Sequence, residues 1–379
     1  MKAFKLLSVL LILGCNVMGV FGQANLQTKN LIIITLDGLR WQEVFKGADS
    51  LLINNKVITK DMEAAHLKYW KSQISTRRQM LMPFLWETIA EKGQLYGNRK
   101  FGNKVNVSNS YWFSYPGYNE IFCGFADNRI NSNDLIPNPN INVLEVINKK
   151  SEFQGKVAVF GSWCVFPYIL NSQRSGIMVN AGFQEMNEDS VSDQMKVLNE
   201  IQSQLPDFIP GARLDAITFQ MGFEYLKTNK PRVLYLALDE TDDLAHDGRY
   251  DLYLNAIHNS DQYIKELWNW VQNQPDYKDK TTILITVDHG RGVGNPGWQS
   301  HGRENKGSDQ TWFAIIGPDT PALGEIQTPG QVYNNQFAQT IAAFTSIQYI
   351  CQQQTGSSIS SVFPEAKKLI SKNEIISPY

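Results

Sequence analysis

The sequence predicts an α/β fold with a mostly parallel central sheet and helices on both of its faces, and three observations lead there. Leu31–Leu36, Val233–Leu238 and Thr282–Val287 are continuous apolar runs rich in β-branched residues, the composition of strands buried on both sides. Amphipathic stretches at Met80–Lys92, Asp215–Lys227 and Leu252–Val271 alternate with these runs, and strand-helix alternation implies parallel strands joined by crossovers. Two of the runs end in a carboxylate and glycine, Asp37-Gly38 and Asp288-His289-Gly290, so polar side chains fall at the carboxyl ends of strands, where open α/β sheets bind ligands.

Taken in order, the chain begins with a short basic start, Met1-Lys2-Ala-Phe-Lys5, and an apolar run, Leu6–Phe21, which together predict a signal peptide over residues 1–22. The run is short for a bilayer span of about 20 residues. Export to the periplasm or the extracellular space is the expectation. Ile12-Leu-Gly-Cys15 weakly resembles a bacterial lipoprotein box, and a membrane contact is expected only if Cys15 is lipidated. Residues 23–379 read as a single domain, because no Gly/Ser linker, low-complexity tract or internal repeat divides them. Insertions are expected near 44–77 and 161–231, stretches poor in motif residues. Asn131–Asn142, rich in Asn and Pro, predicts a loop before a helix over Val143–Lys149, and Trp312–Ile316 predicts a further strand. Beyond the signal, Cys123, Cys164 and Cys351 are odd in number and lack metal or redox spacing, which reads as buried free thiols. A net charge of -2 gives no bulk attraction for nucleic-acid polymers or anionic membranes. An anionic substrate would have to be drawn in locally.

The chemistry-bearing residues lie in five short motifs: Leu31-Ile-Ile-Ile-Thr-Leu-Asp37-Gly38, Phe113-Ser114-Tyr-Pro-Gly117, Asp242-x-x-x-His246, Ile283-Leu-Ile-Thr-Val-Asp288-His289-Gly290 and Ser300-His301-Gly302. Three of the five histidines fall in them. Asp242 and His246 are four apart, which on one helical turn puts both on the same face, able to hold a single ion. Asp239, in the same acidic run, is the alternative to Asp242. Carboxylates and imidazoles gathered at strand ends suggest a metal-assisted site, and such oxygen and nitrogen donors suit zinc, with manganese compatible by ligand type. Pro116 fits the first turn of a helix starting near Ser114, whose N-terminal amides would favour negative charge. His66 and His258 lie outside the pattern and read as ordinary surface or helix residues, and Asp261 reads as structural. Tyr111-Trp112-Phe113 fits either a pocket lining or the core.

In order, spacing and local context these motifs resemble those of the alkaline phosphatase superfamily, in particular its type I phosphodiesterase and nucleotide pyrophosphatase branch, from about Asn30 to about Gly317. The resemblance implies two divalent ions, one held by Asp37, Asp288 and His289 and the other by Asp242, His246 and His301. It implies that Ser114 is both an ion ligand and the nucleophile, forming a covalent phosphoseryl intermediate. It places a phosphate-binding asparagine at Asn131 or Asn133, and it leaves Arg291 and Arg303, which flank the metal motifs, open either as candidates for a second negative charge on a substrate or as solvated or structural arginines. The chain departs from the pattern at Gly117-Tyr118, where the nucleotide pyrophosphatases often carry Asn-His. Tyr118 also stands where the sulfatase motif C/S-x-P-x-R has its arginine. The implied activity is an exported hydrolase of small-molecule phosphoesters, with phosphodiesters preferred because no arginine is assignable beside the nucleophile. The alternatives are a phosphomonoesterase, a phosphoglycerate-mutase-like enzyme, a sulfatase, and a metal-binding protein without catalysis.

Overall fold

The computed structural model describes residues 26–187 and 191–364, so the signal segment and Cys15 lie outside the described residues. At its centre is β1, Asn30–Leu36, buried along its whole length. It belongs to an eight-stranded sheet together with β2 (Gln94–Tyr96), β4 (Val157–Gly161), β5 (Met178–Ala181), β6 (Val233–Leu238), β7 (Thr281–Thr286), β9 (Phe313–Ile316) and β10 (Gly324–Glu325), in the order β10-β2-β9-β7-β1-β6-β4-β5. The neighbours from β5 to β7 run parallel, whereas β9 is antiparallel to both β7 and β2. A small side sheet is formed by β11 (Gly330–Tyr333), β3 (Asn103–Asn106) and β8 (Gln310–Thr311).

Because successive strand residues point to opposite faces, β1 feeds two cores. Ile32, Ile34 and Leu36 pack with Leu234, Leu236, Ile283 and Ile285 on one side; Leu31 and Ile33 join Val233, Tyr235 and Leu284 on the other. The first core is covered by helix Tyr250–Gln272, which buries Tyr250, Tyr253, Leu254, Ile257, Ile264, Leu267 and Val271, the spacing of one helical stripe. The second is covered by helices Ser114–Cys123, Val143–Asn148 and Phe337–Phe344. This is the α/β architecture expected, with helices on both faces of a mostly parallel sheet.

Two departures have local causes. The expected helix Met80–Lys92 is interrupted: helix Ile74–Leu81 stops and helical structure resumes with a π turn at Leu85–Ile89. Pro83 forces the break, since it lacks an N–H and disfavours helical geometry in the residue before it. Asp261 on the long helix caps the new start, accepting the N–H groups of Phe84 and Leu85, each at 2.8 Å. The stretch 161–231, expected as an insertion, contributes β5 and helix Asp215–Asn229 to the central body. Residues 41–81 form short helices that pack against helix Tyr250–Gln272. Cys123, Cys164 and Cys351 are free thiols, with Cys123 buried and the other two half-buried.

Asp261→Ala leaves two buried amides without acceptors, and the expected loss is about 1–3 kcal/mol for each such group. Urea unfolding checks it: the midpoint should fall, with Asp261→Asn, which keeps one acceptor, in between.

Candidate metal centre

All five motifs converge at the carboxyl edge of the parallel strands. Asp37 follows β1, Asp288 and His289 follow β7, and Asp242 and His246 sit on helix Glu240–His246 directly after β6. Ser114 opens helix Ser114–Cys123, and His301 follows a single helical turn at Gly297–Gln299. Two glycines permit the approach. A Cβ on Gly38, whose φ is +60°, would lie 2.6 Å from Asp242 Oδ1, and one on Gly117 would lie 2.4 Å from the carbonyl oxygen of Asp288. Gly117 thus lets the helix that opens with Ser114 rest against the strand end that carries Asp288 and His289.

The distances sort the side chains into two adjoining groups. In the first, His289 Nε2 lies 3.3 Å from Asp37 Oδ1, 3.4 Å from Asp288 Oδ2 and 3.3 Å from Ser114 Oγ. In the second, His246 Nε2 lies 3.1 Å from Asp242 Oδ2 and 2.9 Å from His301 Nε2. His289 also faces this second group, 3.9 Å from Asp242 Oδ1, so the two adjoin there. Asp239 is buried near them but belongs to neither.

Asp37, Asp288 and His289 each have one polar atom held by the protein and another turned toward the shared space. Asp37 Oδ2 accepts the Tyr118 hydroxyl at 2.8 Å, and Asp288 Oδ1 accepts the N–H of Gly38 at 3.2 Å. His289 Nδ1 faces the carbonyl of Gly290 at 2.8 Å, which fixes the tautomer that leaves the Nε2 lone pair to the site. Asp37 Oδ1 and Asp288 Oδ2 are buried with no hydrogen-bond partner. An uncompensated buried carboxylate is costly, so these oxygens fit a cation and little else.

The electrostatics agree. Burial, reinforced by the charge of Asp242, pushes the Asp37 carboxyl up to about 8, and burial with the charge of Asp37 raises Asp288 well above the carboxylate range. Burial lowers His289 to about 4, which keeps its imidazole neutral, the form that ligates. The donors therefore fit metal binding: Asp37, Asp288 and His289 form one group that could hold a cation, and Asp242 and His301 form another with His289, with the more exposed His246 at its edge.

The substrate-binding candidates separate. Asn131 and Asn133 are both exposed, and Asn133 Oδ1 accepts the N–H of Tyr115 at 3.0 Å, which ties it to the residue after Ser114. Arg291, open in the sequence between a substrate contact and a structural arginine, is buried, paired with Asp242 and donating to the carbonyls of Trp298 and Gln299. Arg303 is exposed and lies over the ring of Tyr111.

Three residues with a part in the site carry no motif of their own. Tyr118 holds Asp37, and its sequence signal is the spacing of four from Ser114 on one helix. Asp215 accepts the N–H groups of Asp239 at 2.8 Å and Glu240 at 3.1 Å, fixing the start of the helix that carries Asp242. Glu120, fully buried, accepts the N–H groups of Ser108, Asn109 and Asn335. Asn109 in turn accepts the N–H groups of Tyr111 and Trp112, and the carbonyl of Trp112 accepts the N–H of Gly302. The Tyr111-Trp112-Phe113 segment is therefore a tie between the helix that opens with Ser114 and the His301 loop.

The sequence pattern of the Sulfatase family matches residues 129–350, a span holding the Asp242, His246, Asp288, His289 and His301 motifs and beginning after Ser114. No curated protein matches by sequence. Similar solved structures include wild-type alkaline phosphatase PafA, at 9% identity and a TM-score of 0.57 over 89% of this chain and 99% of that one. Phosphonate monoester hydrolase SpPMH from Silicibacter pomeroyi is similar at 14% identity and a TM-score of 0.55, over 89% of this chain and 77% of that one. The lipoteichoic acid synthase LtaP from Listeria monocytogenes is similar at 13% and 0.52, over 89% and 75%. At these identities the likeness is one of fold.

Because Asp37 holds a proton in the metal-free protein up to pH about 8 and must lose it to ligate, zinc binding at pH 7 should release protons and tighten as pH rises toward 8. Calorimetry in buffers of different ionisation enthalpy checks this. An affinity independent of pH and buffer would contradict it.

Proposed function

The chain belongs to the sulfatase family, within the alkaline phosphatase superfamily of metal-dependent ester hydrolases, and on that premise we propose that it is an exported phosphodiesterase working by double displacement through Ser114. The observation that carries the reading is the position of the Ser114 hydroxyl: first residue of a ten-residue helix, buried, and 3.3 Å from His289 Nε2 inside the first ligand group. It adds to the resemblance of the motifs to the type I phosphodiesterase branch.

Two bound divalent ions, zinc by the donor set, would activate the Ser114 hydroxyl and a water and offset charge on the phosphoryl and leaving oxygens. Ser114 Oγ, its proton given up to solvent, forms a bond to phosphorus as the bond to the departing alkoxide breaks, and that alkoxide takes a proton to leave as an alcohol. A water oxygen then bonds to phosphorus, the phosphorus–Oγ bond breaks, and the Ser114 hydroxyl regains a proton from that water. The amides of the first helical turn favour the phosphoryl charge. Asn133, oriented through its bond to Tyr115, offers its Nδ2 group to a phosphoryl oxygen.

The charge balance favours a diester monoanion. A monoester dianion needs a further cation; Arg291 is committed to Asp242 and to two carbonyls, and Arg303 lies on the surface. Sulfate esters are disfavoured by Tyr118, which occupies the place of the sulfatase arginine and donates to Asp37. Export rests on the signal segment at residues 1–22, ahead of one catalytic domain.

For the zinc-loaded protein, kcat/KM for bis(p-nitrophenyl) phosphate should exceed that for p-nitrophenyl phosphate, and a ratio below one would make it a monoesterase. Ser114→Ala should cut diester turnover by about 10³-fold or more, on the scale of losing a covalent nucleophile, with metal still bound. Full activity in that variant would remove the covalent mechanism.

A further inference from the structure

We propose that Arg291 is a positioning residue that builds the second ion site, locking Asp242 and His301 into one geometry. The assignment rests on the dinuclear reading given above. The Arg291 side chain is wholly buried, and each of its three nitrogens has a partner. Nη1 pairs with Asp242 Oδ1, Nε donates to the carbonyl of Trp298 at 2.8 Å, and Nη2 donates to the carbonyl of Gln299 at 2.6 Å. The next residue continues the series, because the N–H of Gly292 donates to the carbonyl of Ser300 at 2.9 Å. Three consecutive carbonyls, at 298, 299 and 300, are thus held from positions 291 and 292, and His301 is the residue that follows.

The pairing also divides the two oxygens of Asp242. Oδ1 meets the guanidinium and lies 3.7 Å from His301 Nε2, while Oδ2 faces His246 Nε2 at 3.1 Å. One planar fork therefore fixes the direction of a carboxylate on the helix after β6, the position of a histidine loop, and the strand end bearing His289, two residues before it. A lysine keeps the charge but cannot make three directed bonds at once. The space for the fork is specific: a Cβ on Gly38 would lie 3.0 Å from Arg291 Nη1 as well as 2.6 Å from Asp242 Oδ1. Behind it, Arg40, itself paired with Glu43, donates to the carbonyl of Gly292 and closes the segment from the far side.

A buried cation beside Asp242 has a second effect, of opposite sign. Its charge reduces the attraction of the site for a dication, so charge alone predicts that removing Arg291 tightens the second site. Positioning predicts that it loosens. The sign of the change separates the two.

The test measures zinc content and stepwise dissociation constants by chelator competition in the wild type, Arg291→Lys and Arg291→Met. The wild type should hold two ions. Both variants should keep the first at wild-type affinity and bind the second about 10–100-fold more weakly, the usual cost of losing a residue that orients a ligand. Cobalt substitution gives an independent readout, with the absorption of one site lost on titration and the other unchanged. Unchanged or tighter binding of the second ion in Arg291→Met, or loss of both ions together, overturns the assignment of Arg291 while leaving the dinuclear reading to stand. A wild type that binds fewer than two ions overturns the dinuclear reading itself, and the assignment with it.

Discussion

Three buried carboxylates, Asp37, Asp242 and Asp288, are pressed together at the carboxyl edge of the sheet, and the rest of the site is arranged around their mutual repulsion. Burial and neighbouring charge drive two of them toward the neutral form, while Arg291, against the effect of burial, holds Asp242 well below the carboxylate range. Taking such groups out of water costs several kcal/mol per ion unless an opposite charge is supplied. Beside Asp37 the charge of Arg291 offsets part of that cost, and the free oxygens of Asp37 and Asp288 both face the neutral imidazole of His289. Divalent cations bound there would resolve the conflict, and on the proposed mechanism they would also activate the serine that attacks phosphorus.

Holding that arrangement in place falls to groups one step removed from the reacting atoms. Tyr118 and the amide of Gly38 each take one carboxylate oxygen and so aim the other. Asp215 fixes the turn from β6 into the helix bearing Asp242, and Glu120 fixes the loop before Ser114. The segment between Asn109 and Trp112 passes that order on to Gly302, beside His301. Trp112 adopts a left-handed backbone, φ +58°, which few non-glycine residues do; the two amides bound by Asn109 hold it there. The parallel strands beneath, buried on both faces, give these supports a rigid base.

Much of this was legible in the sequence because it was written in short-range pattern. The apolar runs located β1, β6 and β7 to within a residue, since a doubly buried strand has to be apolar throughout. The residues at the strand ends, Asp37, Asp288 and His289, and the pair Asp242 and His246 were readable from spacing, and the structure brings all of them and His301 together. What could not be read depended on contacts between distant segments. The contacts of Arg291 are set by Asp242, 49 positions away, so its place in the sequence close to His289 could not decide between a substrate contact and a structural role. Asp215 and Glu120 act through backbone amides, which leave no side-chain pattern. The break at Pro83 was visible as a proline, but its repair comes from Asp261, 177 positions beyond the Phe84 amide it accepts.

The stereochemical course at phosphorus tests the central claim most directly. Hydrolysis of a single phosphorothioate diastereomer of a diester in isotopically labelled water reports how many displacements occur. Two in-line displacements, the first by Ser114 and the second by water, give overall retention of configuration, and the account predicts retention. Inversion would mean that water attacks the substrate in one step, and Ser114 would then be a ligand without being the nucleophile.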